Sequence, residues 1–157
     1  MLKFANRPDK GFTLVEMLVT VVIVVLVASS IIQLLIVCSR LSEFSWNMTS
    51  AMNQIQNKME EIRNDTYSLI TTDYASGGTP GNTFALTNPP GMGVIYIDSS
   101  NANLLKIDIS ASWQVKNRRF VGEDTDLDGT LDAGEDKNAN GRIDSPVQLI
   151  TYVYRTQ

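Results

Sequence analysis

From Met17 to Cys38 the chain carries no charged residue, and immediately before this run stands a single carboxylate, Glu16. The polar exceptions within it are Thr20, Ser29, Ser30 and Gln33. At about 1.5 Å per residue, these 22 residues form a helix of roughly 33 Å, enough to cross a bilayer. An ionisable group at such a place is expensive and has a specific partner. The run therefore fixes the class of the N-terminal third: a single membrane-spanning helix with one functional carboxylate at its head.

The residues around that carboxylate are Gly11-Phe12-Thr13-Leu14-Val15-Glu16, preceded by a short segment in which Lys3, Arg7 and Lys10 outweigh Asp9. The small positive excess suits a cytoplasmic flank. A secretory signal has a short apolar region followed by its cleavage site. Here the apolar run is long, and the cut is expected before it, so the helix is retained.

Over about its first 40 residues the chain resembles the type IV pilin family and its type II secretion pseudopilin relatives. The resemblance implies a class III signal peptide, residues 1–11, cut after Gly11 by prepilin peptidase, with methylation of the new terminal amine of Phe12. It also implies a pairing of Glu16 with that amine, its own or a neighbour's, during assembly. Two opposite charges in an apolar setting attract strongly and each alone costs several kcal/mol, so such a pair can set subunit register. A plain single-pass anchor with Glu16 near the interface is the other reading of these residues.

Beyond Cys38 the helical pattern continues with a narrower apolar stripe. Leu41, Phe44, Met48, Met52, Ile55, Met59 and Ile62 recur every three or four residues, with Glu43, Asn47, Gln54, Lys58, Glu61 and Asn64 off the stripe. One proline-free helix is expected from about Thr13 to Asn64. Its segment Gln56-Asn57-Lys58-Met59-Glu60-Glu61-Ile62-Arg63 also resembles minor pilins and minor pseudopilins, subunits thought to prime assembly or form the tip. The breaker clusters Ser76-Gly77-Gly78-Thr79-Pro80-Gly81-Asn82 and Asn88-Pro89-Pro90-Gly91 mark residues 71–93 as a loop.

Strands follow. Val94 to Asp98 is a short candidate. Leu105, Ile107, Ile109, Ala111, Trp113 and Val115 alternate with polar residues, the pattern of a half-buried strand. A similar alternation runs from Val147 to Tyr154. Antiparallel pairing of these two strands, with residues 117–146 as the connection and one sheet face on the helix stripe, is the simplest arrangement. The expected fold is α+β and pilin-like: a long N-terminal helix, transmembrane and then amphipathic, packed on a small antiparallel sheet with a calcium-binding loop. The expected parts are the leader 1–11, the membrane half of the helix 12–38 and a periplasmic globular part 39–157.

The connection carries a second motif. Residues 122–145 hold eight acids and two bases, whereas the rest of the chain has nine acids and eleven bases, so the net charge of −4 belongs to one loop. Asp124-Thr125-Asp126-Leu127-Asp128-Gly129-Thr130-Leu131-Asp132-Ala133-Gly134-Glu135 fits the pattern D-x-D-x-D-G-x5-E in full. Calcium takes six to eight hard oxygens. Asp124, Asp126 and Asp128 supply three, the Thr130 carbonyl another, Asp132 one directly or through water, and Glu135 both of its oxygens. Gly129 permits the sharp turn. A second unit follows with Asp136, Asn138, Asn140, Gly141 and Asp144, but its twelfth position is Val147 rather than an acid, which leaves it weaker, incomplete or closed from elsewhere. The tandem resembles the calcium loops of dockerins and thrombospondin-type repeats. Magnesium fits such an all-protein cage poorly. An acidic, solvated loop without metal is the other reading.

The single cysteine, Cys38, excludes an internal disulfide, and the absence of histidine removes His-based catalysis and His ligands. Metal-ligand spacing explains the acid cluster, and no nucleophile–base set accompanies it, so no enzyme activity is expected. No basic patch with interleaved aromatics points to nucleic acid. The expected function is that of a minor pilin or pseudopilin in a type IV pilus or secretion pseudopilus at the bacterial inner membrane. Its expected partners are other pilin or pseudopilin subunits, prepilin peptidase and the inner-membrane assembly platform. The alternative is a membrane-anchored, calcium-binding periplasmic domain that does not polymerise.

Overall fold

A computed structural model describes residues 11–116 and 119–155. The leader residues 1–10 lie outside the described residues. The first helix, α1, spans Leu14–Arg63, within one residue of the expected bounds at either end. No glycine or proline interrupts it. Thr13 caps its start: the Glu16 backbone N–H donates to Thr13 Oγ1 at 3.2 Å, satisfying one of the donors that a helix start leaves open. Three polar exceptions in the apolar run turn back on the helix itself. The hydroxyl of Thr20 donates to the Glu16 carbonyl, and those of Ser29 and Ser30 both donate to the Leu26 carbonyl. Hydroxyls satisfied in this way are tolerated in a hydrocarbon environment.

Two compact units meet in the chain between Glu43 and Phe44. In the first, every residue of α1 is exposed. The helix is long and apolar enough to cross a membrane, and none of its apolar window is buried.

In the second unit, α1 buries Ala51, Ile55, Met59 and Ile62, spaced by four, four and three residues on one face. Met48 and Met52 are half-buried beside them, whereas Phe44, at the head of this part of the stripe, is exposed. Ion pairs Lys58–Glu61 (2.8 Å) and Arg63–Glu60 (3.0 Å) flank this face, with Lys58 over the Phe84 ring. A short helix, α2 (Tyr67–Asp73), follows and buries Ile70.

The sheet has five antiparallel strands: β1 (Thr83–Thr87), β2 (Pro90–Asn101), β3 (Leu104–Val115), β4 (Arg119–Val121) and β5 (Gln148–Tyr154). β1, β2 and β3 are neighbours in that order, and β4 and β5 share the remaining edge of β3. The expected pairing of β3 with β5 is observed. Residues 71–93 are not one loop. β1 lies there, between the two breaker clusters, and β2 already begins at Pro90. Nor is β2 short. Its first half holds Gly91 and Gly93, and the Phe84 ring lies where a side chain at Gly93 would stand, so these glycines mark close approach rather than a turn.

β3 is the axis of the unit. Leu105, Ile107, Ile109, Ala111 and Trp113 join the helix stripe in one core with Ile70, Tyr74, Leu86, Ile95 and Val147. The alternating polar residues predict a wet opposite face, and here the structure differs. Asp108, Ser110 and Ser112 are also buried. The segment between β4 and β5 covers them: Ser110 Oγ donates to the Ile143 carbonyl at 2.7 Å, and Ile143 N–H donates to Tyr96 Oη at 2.8 Å. Val94 and Ile143, both nearly fully buried, stand outside the helix-side core. The unit thus has three layers, helix, sheet and loop.

The edge strand explains how the loop is placed. Val121 pairs with Trp113, and Gln148 pairs with Ser110. β4 and β5 therefore run in the same direction along one edge of β3, three residues apart in register. The 26 residues 122–147 leave that edge and return to it within about 10 Å. The acidic loop is an excursion from one interrupted strand.

Candidate functional site

The excursion consists of two turns of chain with one design. In the first unit, Asp124 is fully buried and accepts hydrogen bonds from the backbone N–H of Leu127 (2.6 Å) and Gly129 (3.0 Å). In the second, Asp136 accepts from Asn140 N–H (3.0 Å) and Gly141 N–H (2.9 Å). The backbone repeats with the side chains. Leu127 and Ala139 have φ of 62° and 57°, and Gly129 and Gly141 have φ of 80° and 74°. These pairs are twelve residues apart. Non-glycine residues seldom adopt left-handed conformations, so their recurrence at equivalent positions marks an imposed turn.

Gly129 is required twice over. Its φ disfavours a side chain, and a Cβ there would lie 2.6 Å from Thr83 Cγ2 on β1. The first turn is thereby pressed onto the sheet.

The first unit brings carboxylates together. Oxygens of Asp124, Asp126 and Asp128 all lie within 4.8 Å of one another. Glu135 closes the turn from its far end, taking Thr125 N–H (2.6 Å) and Thr125 Oγ1–H (2.7 Å) on one oxygen and Asp132 N–H (3.1 Å) on the other. Thr130 donates its N–H to Asp128 at 2.7 Å. The crowding shows in the acid strengths. Burial pushes the Asp124 carboxyl up, and the charge of Asp128 pushes Asp132 up. The Thr130 hydroxyl and N–H hold Asp128 down, and those of Thr125 hold Glu135 down. Among the described residues, the carboxylates that converge are those of Asp124, Asp126 and Asp128, without Asp132 or Glu135; they offer charged oxygen donors of the kind a hard divalent cation takes.

The second unit is drawn together differently. Asp144 accepts from the side-chain amides of Asn138 (2.6 Å) and Asn140 (2.7 Å). Val147, at the twelfth position, is buried in the helix-side core, and its carbonyl accepts Ala111 N–H at 3.1 Å. That position belongs to the sheet edge and is unable to close the loop. Glu123, buried, takes Lys137 N–H (3.2 Å) on one oxygen and Asp144 N–H (3.1 Å) on the other. It is absent from the expected site residues. Its signal in the sequence is the repeat itself: Glu123-Asp124-x-Asp126-x-Asp128-Gly129 recurs as Glu135-Asp136-x-Asn138-x-Asn140-Gly141.

A polar clamp ties the excursion to the sheet. Arg142 lies over the Tyr96 ring at 5.3 Å and reaches Asp108 at 3.4 Å, and Gln148 donates to Asp108 at 2.8 Å.

At the other end of the chain, Gly11 and Phe12 are exposed and precede α1, and Glu16 lies in its first turn. Glu16 stands four positions after Phe12, about one helical turn. A first-turn carboxylate is favoured by the positive end of the helix dipole.

Residues 6–32 match the family model of the prokaryotic N-terminal methylation motif. The chain therefore carries a type IV pilin-like, class III signal of the prepilin-processed kind. No curated protein and no solved structure matches the chain.

Proposed function

We propose that the chain is a minor pilin or pseudopilin, a structural subunit rather than an enzyme. In this reading prepilin peptidase cuts after Gly11 and Phe12 is methylated. The unit Phe44–Gln157 faces the periplasm, and the subunit passes through an inner-membrane assembly platform into a type IV pilus or type II secretion pseudopilus. The observation that carries the reading is the methylation motif at residues 6–32, which heads an apolar span whose one carboxylate is Glu16.

The chemistry of the span supports it. A lone carboxylate in lipid costs several kcal/mol, and the amine freed at Phe12 is the cation placed to offset that cost, within one subunit or between two. The exposed apolar surface of α1 from Leu14 to Leu41 needs lipid first and neighbouring helices later.

The loop serves the periplasmic unit. Its residues fit a calcium ion: Asp124, Asp126, Asp128, Asp132 and Glu135 with the Thr130 carbonyl in the first unit, and Asp136, Asn138, Asn140 and Asp144 in the second. When bound, calcium supplies positive charge that neutralises crowded carboxylates and so orders a segment with few apolar side chains of its own. The role is structural.

The test is Glu16→Ala in the native host. The expected result is a membrane-inserted subunit that no longer enters filaments. Filaments containing the variant at wild-type level would contradict the assembly role and favour a calcium-binding domain that is anchored and does not polymerise.

A further inference from the structure

The sheet ends in two edges that are finished differently. β1 is short, and the outward Thr87 N–H is taken by the side-chain carbonyl of Gln54 on α1 at 2.8 Å, while the Gln54 amide donates to the Asn88 carbonyl at 2.7 Å. α1 thus guards that edge at Thr87. β5 has no such guard, and β4 lies in line with it rather than beside it. Just beyond the ends of β5, the Val147 carbonyl accepts Ala111 N–H (3.1 Å) and Arg155 N–H donates to the Asn103 carbonyl (3.0 Å), and the register between them is unbroken. In an antiparallel pair a residue turns both backbone groups the same way, and successive residues alternate. Leu149, Thr151 and Val153 therefore bond to β3, and Gln148, Ile150, Tyr152 and Tyr154 turn their N–H and C=O groups outward. Among the described residues nothing pairs with those outward groups. The side chains agree. Leu149 and Val153 pack on the helix-side core, which puts Ile150, Tyr152 and Tyr154 on the other face, 46%, 54% and 71% exposed. Proteins protect open edges with charge, proline, bulges or brevity. Gln148–Tyr154 runs for seven residues with no charge and no proline.

We propose that the outer edge of β5 is a docking edge, to which a neighbouring subunit of different sequence, anchored in the same membrane, adds an extended segment as a further strand. This rests on the filament reading above and gives it a surface. Three arguments select the occupant. A row of outward N–H and C=O groups at strand spacing is satisfied by another strand and not by a helix. A seven-residue edge, about 23 Å long, is too small for a free-standing complex, which buries about 1,200 Å² or more, so the partner has to be held close already, as a shared membrane holds it. A second copy of this chain fits badly at either edge. Antiparallel β5–β5 pairing has its twofold axis perpendicular to the sheet, and α1 packs along that sheet from Ala51 to Ile62. The axis would turn one α1 against the other, whereas subunits inserted in one membrane carry this helix in one direction. Head-to-tail pairing of β5 with the β1 of a next copy meets Gln54 at Thr87.

The experiment places the photo-crosslinker p-benzoylphenylalanine in place of Tyr154 in the full chain in its native host and, in a second strain, in place of Leu34, exposed on the membrane half of α1. Adducts from irradiated cells are identified by mass spectrometry of the joined peptides. The expected adduct at Tyr154 is to the globular part of a different protein that carries its own N-terminal methylation motif. Ile150→Pro removes an outward donor without touching the ladder to β3, and should lower that adduct by about tenfold at an unchanged level of membrane-inserted protein. Because proline could still unsettle the strand, Ile150→Lys is the second variant: it keeps the donor, sets a charge beside the incoming strand and should give the same loss. Adducts at Leu34 with none at Tyr154 would overturn the docking edge and leave the filament reading standing. Adducts at neither position would overturn both. An adduct at Tyr154 to a second copy of this chain or to a soluble protein would overturn the choice of partner, and one that neither variant lowers would overturn the edge as its surface.

Discussion

Calcium removal is the perturbation whose size follows most directly from the loop's construction. The excursion puts oxygens of three aspartates within 4.8 Å, buries Asp124 completely, and sets the charge of Asp128 against Asp132. On the calcium reading, these groups repel without a cation, and the segment that covers β3 is expected to lose part of its support. At free calcium about 100-fold above Kd, one site stabilises the folded form by about 2.7 kcal/mol. The unit Phe44–Gln157 has 114 residues, and at about 2.1 cal/mol/K per residue its unfolding entropy near Tm is roughly 0.24 kcal/mol/K. One site then shifts Tm by about 11 °C. Differential scanning calorimetry of the full chain in detergent, in excess calcium and in excess chelator, reads the difference. Magnesium at the same concentration should recover little of it. A Tm that moves by less than about 2 °C on chelation would refute the reasoning, since even a weakly filled site contributes more at saturation.

Two further outcomes are expected on the same unit. Ile55→Ala, at a fully buried position of the α1 stripe, should cost about 2–5 kcal/mol in denaturant unfolding, whereas Trp46→Ala, 65% exposed on the same helix, should stay within about 0.5 kcal/mol of wild type. Tyr96→Phe strips the acceptor from Ile143 N–H and should cost about 1–3 kcal/mol, with faster hydrogen exchange at Ile143 than at Ile107.

The long helix was legible because its evidence is local. The run from Thr13 to Arg63 lacks glycine and proline, and its apolar spacing shifts from all-round to one-sided beyond Cys38, ahead of the burial that begins at Ala51. The pairing of β3 with β5 followed from two alternating runs separated by a polar connection. β1 did not show because five residues between two breaker clusters carry too little periodicity. The burial of Asp108, Ser110 and Ser112 was invisible for a different reason. Alternation records the polarity of a face, and these residues face a polar loop instead of water, with Ser110 bonded to Ile143 and Asp108 to Arg142 and Gln148.

The site divides in the same way. The spacing of Asp124, Asp126, Asp128 and Glu135 is contained in twelve residues and could be read directly. The contact of Glu123 with the second unit could not: it meets Asp144 across 21 residues because β4 and β5 share an edge of β3. That juxtaposition is a property of sheet topology, and only the glutamate-led repeat hinted at it.

The central claim, that this is a processed filament subunit, is tested most directly by the N-terminus of the protein in its native membrane. Intact mass with N-terminal sequencing should give a chain that starts at methylated Phe12, with residues 1–11 removed. A chain that still carries Met1 to Gly11 would contradict prepilin processing and leave a calcium-stabilised domain held by a simple membrane anchor.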